Sequence, residues 1–267
     1  MMMATNAFLT RDFRIAWSYR FSFFFQNASL LFSLVSLKFL SDLLGESQPA
    51  SLAKYGGDYF SFVLVGMGIS LLSYPVTKSF ASAVRSGQVT GTFEAMLTTR
   101  SSGLTVVLNS GFYPVVVAMA QLVLMWVAGS IALGASFDVS HLALVVVVLS
   151  MTMVILVGIG LLSAAFVIAF KQNEPVTSAF LAASLLASGI MYPTSVLPSW
   201  LERLAPLLPL THAAELTRLL VLENTQVTEL GAHFAALGGF CLLLPAGIFA
   251  VNYSIKWARR SGSLSQY

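Results

Sequence analysis

Long apolar runs set against very few charges constrain this chain more than any other feature. Runs of apolar residues cover about 21–40, 58–78, 104–133, 141–170, 176–191 and 234–255. A helix needs about 20 such residues to cross a bilayer. Only 9% of the 267 residues are charged and 57% are hydrophobic. A soluble domain carries about 25% charged residues, so water-facing surface could not be covered here and lipid must surround most of the chain. The length accommodates roughly six spans with short connections. It leaves no room for a soluble catalytic domain of about 100 residues. We therefore expect an all-α membrane protein with six transmembrane helices, forming a single transmembrane domain over 1–267. Spans three and four exceed the required length and should tilt or project.

The N-terminus holds Arg11, Asp12, Arg14 and Arg20 and no apolar core of a cleavable signal. The first span is expected to act as an uncleaved signal anchor. Residues 5–20 read as an interfacial helix, with Leu9, Phe13, Ala16 and Trp17 on one face and Arg11, Arg14 and Ser18 opposite. The alternative is a basic tail that only sets topology.

Orientation follows the lysines and arginines. Arg11, Arg14, Arg20, Lys78, Arg85, Arg100, Lys171, Lys256, Arg259 and Arg260 fall on one side, against Lys38, Lys54, Arg203 and Arg218 on the other. That asymmetry places both termini in the cytoplasm, as expected of a multi-pass protein of the cell (inner) membrane. It also accounts for the net charge of +3 without a nucleic-acid partner. The turn Lys171, Gln172, Asn173, Glu174 between spans four and five is then cytoplasmic, as is the segment 86–100.

Several chemistries are excluded or disfavoured. The chain lacks the glycine-rich loop and lysine of a P-loop, so it should not bind ATP by that route. Cys241 is the single cysteine, and His141, His212 and His233 are far apart in sequence, so no cluster has metal-ligand spacing. No span holds the paired carboxylates or Ser–His set of an intramembrane protease. No catalytic residue, metal site or cofactor is expected in this chain. Ionisable groups sit at span ends rather than mid-span, which argues against intrinsic ion coupling. Energy for uphill transport would have to enter from another subunit. Gly66, Gly68, Gly158 and Gly160 lie inside apolar runs and are expected to let helices approach closely.

Two segments carry the remaining information. Between spans five and six, 192–230 is apolar but broken by Pro193, Pro198, Pro206 and Pro209, each of which removes a helix donor. Re-entrant half-helices at the outer face fit this pattern; an amphipathic loop on the outer surface is the alternative. Glu215 with Arg218, and Glu202 with Arg203, read as ion pairs of the outer interface. In 86–100, Phe93, Met96 and Leu97 share one side of a short helix, with Glu94 in its first turn and Gly91 permitting a sharp turn before it. Such a helix could insert into a groove on a partner, or its apolar side could rest on the inner leaflet.

Gly91, Thr92, Phe93, Glu94, Ala95, Met96, Leu97, Thr98 and Thr99 resemble the GTLEALLTTP segment that follows span two in ABC-2 type transporter permeases. The outer segment, with Pro193, Pro198, Trp200, Pro209, Glu215 and Arg218, also resembles that family's pattern before its last span. The resemblance covers almost the whole chain. Arg100 replaces a usual proline, and Gln88, Val89 and Thr90 replace usual charged residues.

The resemblance implies the membrane-spanning permease subunit of an ABC exporter. A second permease copy, identical or related, would complete the route. A separate cytoplasmic ATPase subunit would bind ATP and Mg and meet the permease at a coupling helix made of Gly91, Thr92, Phe93, Glu94, Met96 and Leu97. Membrane lipid is the remaining partner. A stand-alone channel or secondary carrier, or a non-transporting membrane scaffold, is the competing expectation.

Overall fold

A computed structural model describes residues 10–14, 17–44, 50–56, 58–99, 101–171, 175–222 and 230–260. Regular structure among the described residues is helical throughout. In chain order the α-helices are α1 (Arg20–Leu44), α2 (Tyr59–Val89), α3 (Thr92–Leu97), α4 (Gly103–Leu133), α5 (Leu142–Phe170) and α6 (Pro175–Ala187). They continue with α7 (Ser199–Leu204), α8 (Pro209–Val221), α9 (Gly231–Phe240) and α10 (Leu243–Arg260). Ahead of α1, residues 10–14 and 17–18 of the expected interfacial segment are helical, and the Phe13 and Trp17 rings stack with centroids 6.1 Å apart. The rest of that segment up to residue 16 lies outside the described residues.

Five stretches are long and apolar enough to cross a membrane: Phe24–Leu44, Tyr59–Val89, Gly103–Leu133, Leu142–Phe170 and Gly231–Arg260. The protein is therefore a multi-pass membrane protein. The run expected as a fifth span over 176–191 forms only the 13-residue α6. At 1.5 Å per residue, that is about 20 Å, short of a hydrocarbon core of about 30 Å. The shortening has a local cause. Gly189 takes a left-handed backbone with φ of 70°, and Pro193 follows before a new helix can propagate.

The last stretch is broken in the middle. α9 ends at Phe240 and α10 begins at Leu243. Pro245 explains the break, since it has no N–H and its ring excludes the carbonyl four residues earlier, that of Cys241. The second span is longer than hydropathy suggested. α2 starts at the side chain of Asp58, which accepts from the amides of Phe60 and Ser61, and runs past Lys78 to Val89. A helix need not stop where the bilayer does.

α2 is the centre of the molecule. Of its most apolar window, 72% is buried, against 11% for the window in α1. It packs on α4, α5 and α8, with α1 lying against it from outside. Glycines set these close approaches. A Cβ added at Gly66 would fall inside the Ile190 carbonyl and the Arg218 guanidinium, and one at Gly68 would strike the Trp126 indole. A second backbone-to-backbone contact joins α5 and α10, where a Cβ at Gly158 would come within 2.5 Å of Leu243 and one at Gly247 within 2.6 Å of the Gly158 carbonyl oxygen. Gly66→Ala should lower stability by about 1–3 kcal/mol through overpacking, read as a fall in thermal midpoint in detergent. An unchanged midpoint would contradict the contact.

Buried apolar side chains fall into two clusters. The larger joins α1, α2, α4, α5, α8 and α9. The smaller gathers Phe80 and Val84 of α2, Phe93 and Leu97 of α3, Val107 of α4, Ile168 of α5 and Ile255 of α10.

Candidate functional site

The α2–α3 elbow carries the first expected site. α2 ends through a bond from the Thr90 amide to the Ser86 carbonyl, and Gly91 then turns the chain with φ of 69°. A side chain would strain that backbone, which is why α3 can leave α2 at once. The expected segment 86–100 is accordingly divided, with Ser86 to Val89 finishing α2 and only Thr92–Leu97 forming the separate helix. Arg100 lies outside the described residues.

The orientation of α3 turns its apolar side inward. Phe93 and Leu97 are 3% and 5% exposed. They fill the smaller core cluster. The Phe93 Cβ would stand 3.2 Å from a Cβ at Gly87, and a Leu97 methyl 3.1 Å from one at Gly103. Met96 is half-buried against the same cluster. The reason is the tight turn at Gly91, which folds the apolar side of α3 back under α2. What α3 shows to solvent is Thr92, Glu94 and Ala95, continued by Thr98 and Thr99.

Arg259 adds a contact that the sequence did not signal. Its Nη2 donates to the Leu97 carbonyl at 3.1 Å, satisfying one of the orphan acceptors at the α3 C-terminus. At the far end of that helix pair, Ser102 caps α4 by accepting from the Thr105 amide. α3 is thus held by α2, α4 and α10, within the cluster that α5 completes. In the turn after α5, Lys171 ends that helix in a left-handed conformation, φ 57°. Gln172, Asn173 and Glu174 lie outside the described residues.

The described part of the segment between α6 and α9 forms a series of short pieces. Pro193 precedes a 3-10 turn at Thr194–Val196, Pro198 precedes α7, and Pro209 is the first residue of α8. Prolines here start elements rather than break them. Trp200 is 64% exposed on α7. α8, by contrast, is buried along nearly its whole length, so the surface-loop alternative does not describe it.

Two expected partners are exchanged there. Glu215 is directed at Lys54 Nζ at 2.6 Å and at the Tyr55 hydroxyl at 2.8 Å, not at Arg218. Arg218 is 2% exposed. Its Nη1 donates to Gly189 O and its Nη2 to Ile190 O, both at 2.7 Å, and its Nε donates to Phe62 O at 3.2 Å. The guanidinium stacks 3.6 Å over the Phe62 ring. Burial lowers its pKa to about 10, with Glu215 opposing the shift, so it remains a cation at neutral pH. One arginine thereby stitches the chain beyond α6, the N-terminal end of α2 and α8 together. The expected pair of Glu202 and Arg203 forms no ion pair among the described residues.

Two histidines far apart in sequence also meet. His212 Nδ1 and His233 Nδ1 are 3.0 Å apart, and His212 Nε2 lies 2.9 Å from the Pro206 carbonyl. A carbonyl only accepts, so Nε2 carries the proton; the two Nδ1 atoms then share a single proton between them. Both rings cannot be doubly protonated in this geometry. Among the described residues there is still no group of three metal-ligating side chains.

A cavity of about 440 Å³ opens between α1, α2 and α4, beside Ile190 and Met191. Its polar side chains are uncharged, Gln26, Ser29, Ser33, Ser70 and Gln121 among them, and Pro75 stands in its wall.

Among family models, one described as ABC-2 type transporter matches residues 3–222. The match runs from the N-terminal segment to just past α8, and so contains the elbow, the cavity and residues 192–222 of the proline-broken segment. Among curated proteins no match to the chain is found.

Proposed function

Since the chain belongs to the ABC-2 type transporter family, and is thus a transporter permease, we infer that it is the membrane subunit of an ABC exporter driven by a separate ATPase. The observation that carries this reading is the mounting of α3. Phe93, Leu97 and the Arg259 contact fix it to α2, α4 and α10, while Thr92, Glu94 and Ala95 stay exposed. A short helix held so firmly on one side and open on the other suits a lever. The ATPase would grip the open side, and its closure on ATP and Mg would move α2 and α4.

The rest of the architecture is read in the same frame. Both termini face the cytoplasm, following the positive charges. α6 serves as a short fifth span whose outer end is completed by the segment that Arg218 anchors, which brings the count to six. α1 leaves Phe24, Phe25, Phe32 and Phe39 exposed, an apolar surface for lipid and for a second permease copy. The cavity beside α1 would border the route between the two copies.

The test is co-purification with an ABC ATPase subunit, with substitutions on the open face. Glu94→Arg combined with Ala95→Trp should reduce recovery of the complex by about tenfold or more, as loss of a central anchor does. The thermal midpoint of the permease alone should hardly move, because neither side chain is buried. Transport in ATP-free liposomes by the chain alone would instead support a channel or secondary carrier.

A further inference from the structure

A groove lined by described residues lies away from the open face of α3. It has a volume of about 590 Å³ and lies between the inner half of α2, the end of α5 at Val167 and the start of α6 at Ser178. Its described lining holds two cations, Lys78 and Arg85, and four hydroxyl side chains, Ser82, Ser86, Thr90 and Ser178, with no carboxylate. Lys78, Ala81, Ser82 and Arg85 follow one stripe of α2 at helical spacing. The two cations are held in place. Lys78 Nζ donates to Ser178 Oγ at 2.7 Å, and Arg85 Nη1 donates to the Lys171 carbonyl at 2.8 Å. The other N–H groups of that guanidinium, a fork suited to phosphate oxygens, are not engaged by any described residue.

Depth along α2 favours a particular ligand chemistry. Counting from Tyr59 at 1.5 Å per residue, Lys78 lies about 28 Å along the helix and Arg85 about 10 Å further. With a hydrocarbon core of about 30 Å, Lys78 stands at its inner edge and Arg85 at headgroup level. This step rests on the cytoplasmic placement of that end given above. We propose that the groove binds a phosphate group at the inner membrane surface, through Arg85 and Lys78 with the neighbouring hydroxyls. An anionic phospholipid headgroup and a free phosphate share that chemistry. The lipid would bring its phosphate to the groove at the right depth, with its acyl chains running along the apolar inner half of α2. The cytoplasmic leaflet is also the more anionic one, and basic pockets between spans on that side suit such headgroups.

The full-length chain offers a direct readout, because Cys241 is its single cysteine. In a Cys241→Ala background, Ser82→Cys places one thiol in the groove, and Thr98→Cys gives an exposed reference outside it. Labelling by a water-soluble maleimide is followed in nanodiscs of phosphatidylcholine, with and without phosphatidylglycerol, and in phosphatidylcholine with added inorganic phosphate. Phosphatidylglycerol should slow labelling at position 82 by about tenfold relative to position 98. With Lys78→Gln and Arg85→Gln together, the lipid content needed for half-protection should rise about thirtyfold, or protection should vanish.

Protection by phosphatidylglycerol alone identifies a lipid headgroup, and protection by inorganic phosphate in the neutral nanodisc identifies a soluble one. No protection in either arm, or protection that survives the double glutamine variant, overturns the proposal. The variant's thermal midpoint and its labelling at position 98 show whether it remains folded; if it does not, Arg85→Lys replaces it, keeping the charge but losing the fork, and must weaken protection. Nanodiscs expose both leaflets and need no ATPase. The result is therefore independent of whether the chain is the permease of an exporter.

Discussion

Arg218→Ala will destabilise the protein by roughly 2–6 kcal/mol, because the buried Gly189 and Ile190 carbonyls lose their donor. The substitution removes the donor from three buried carbonyls, those of Phe62, Gly189 and Ile190. Each acceptor left without a partner costs about 1–3 kcal/mol. The Phe62 ring loses its cation as well. Lysine will not rescue, because a single ammonium cannot reach three carbonyls arranged around a planar fork. The check is thermal unfolding of purified protein in one detergent, with Glu215→Gln as comparison. That second variant breaks a half-exposed contact with Lys54 and should cost less than about 1 kcal/mol. If the two variants behave alike, the guanidinium is not the stitch described.

Phe93→Ala with Leu97→Ala will uncouple transport from ATP hydrolysis. In the proposed mechanism, force reaches α2 only because α3 is wedged into the smaller core cluster. Truncating a buried phenylalanine costs about 3–5 kcal/mol and a buried leucine about 2–5, so α3 should swing free of its seat. The ATPase would still find Glu94 and Ala95. The expected result is a complex that assembles and hydrolyses ATP while substrate flux falls at least tenfold. Intact flux in the assembled complex would remove the lever from the mechanism. This outcome differs in kind from that of Glu94→Arg with Ala95→Trp, which should prevent assembly.

The sequence made some of this architecture legible. α4 and α5 fall within one residue of the expected runs, because hydropathy there is continuous and bounded by Ser102 and by Lys171. The short helix after span two was legible too, since Gly91 and the Phe93–Leu97 spacing are local. Which side of it faces outward was not. Periodicity says which residues share a face, and nothing about whether a partner or the chain itself covers that face. Arg218 shows the same limit. Spacing offered Glu215, three residues away, but α8 is buried, and burial brings up carbonyls 28, 29 and 156 residues away. His212 and His233 meet across 21 residues, through a packing of α8 on α9 that no local pattern encodes. The shortened α6 turns on the backbone at Gly189, one residue inside an otherwise uninterrupted apolar run.

α2 is clamped at both ends. Near its start, Arg218 grips the Phe62 carbonyl and Gly66 sits under Ile190. Near its finish, Gly87 lies against Phe93. Between the clamps stands Pro75, the one position within α2 where the helical hydrogen-bond ladder must lack a rung. A rod held at its ends and weakened at one point yields at that point. In the proposed lever, a displacement imposed on α3 would bend α2 about Pro75, and Pro75 is in the wall of the 440 Å³ cavity. The weak point of the rod and the wall of the chamber are one place, so in that mechanism a push on α3 would change the cavity's shape.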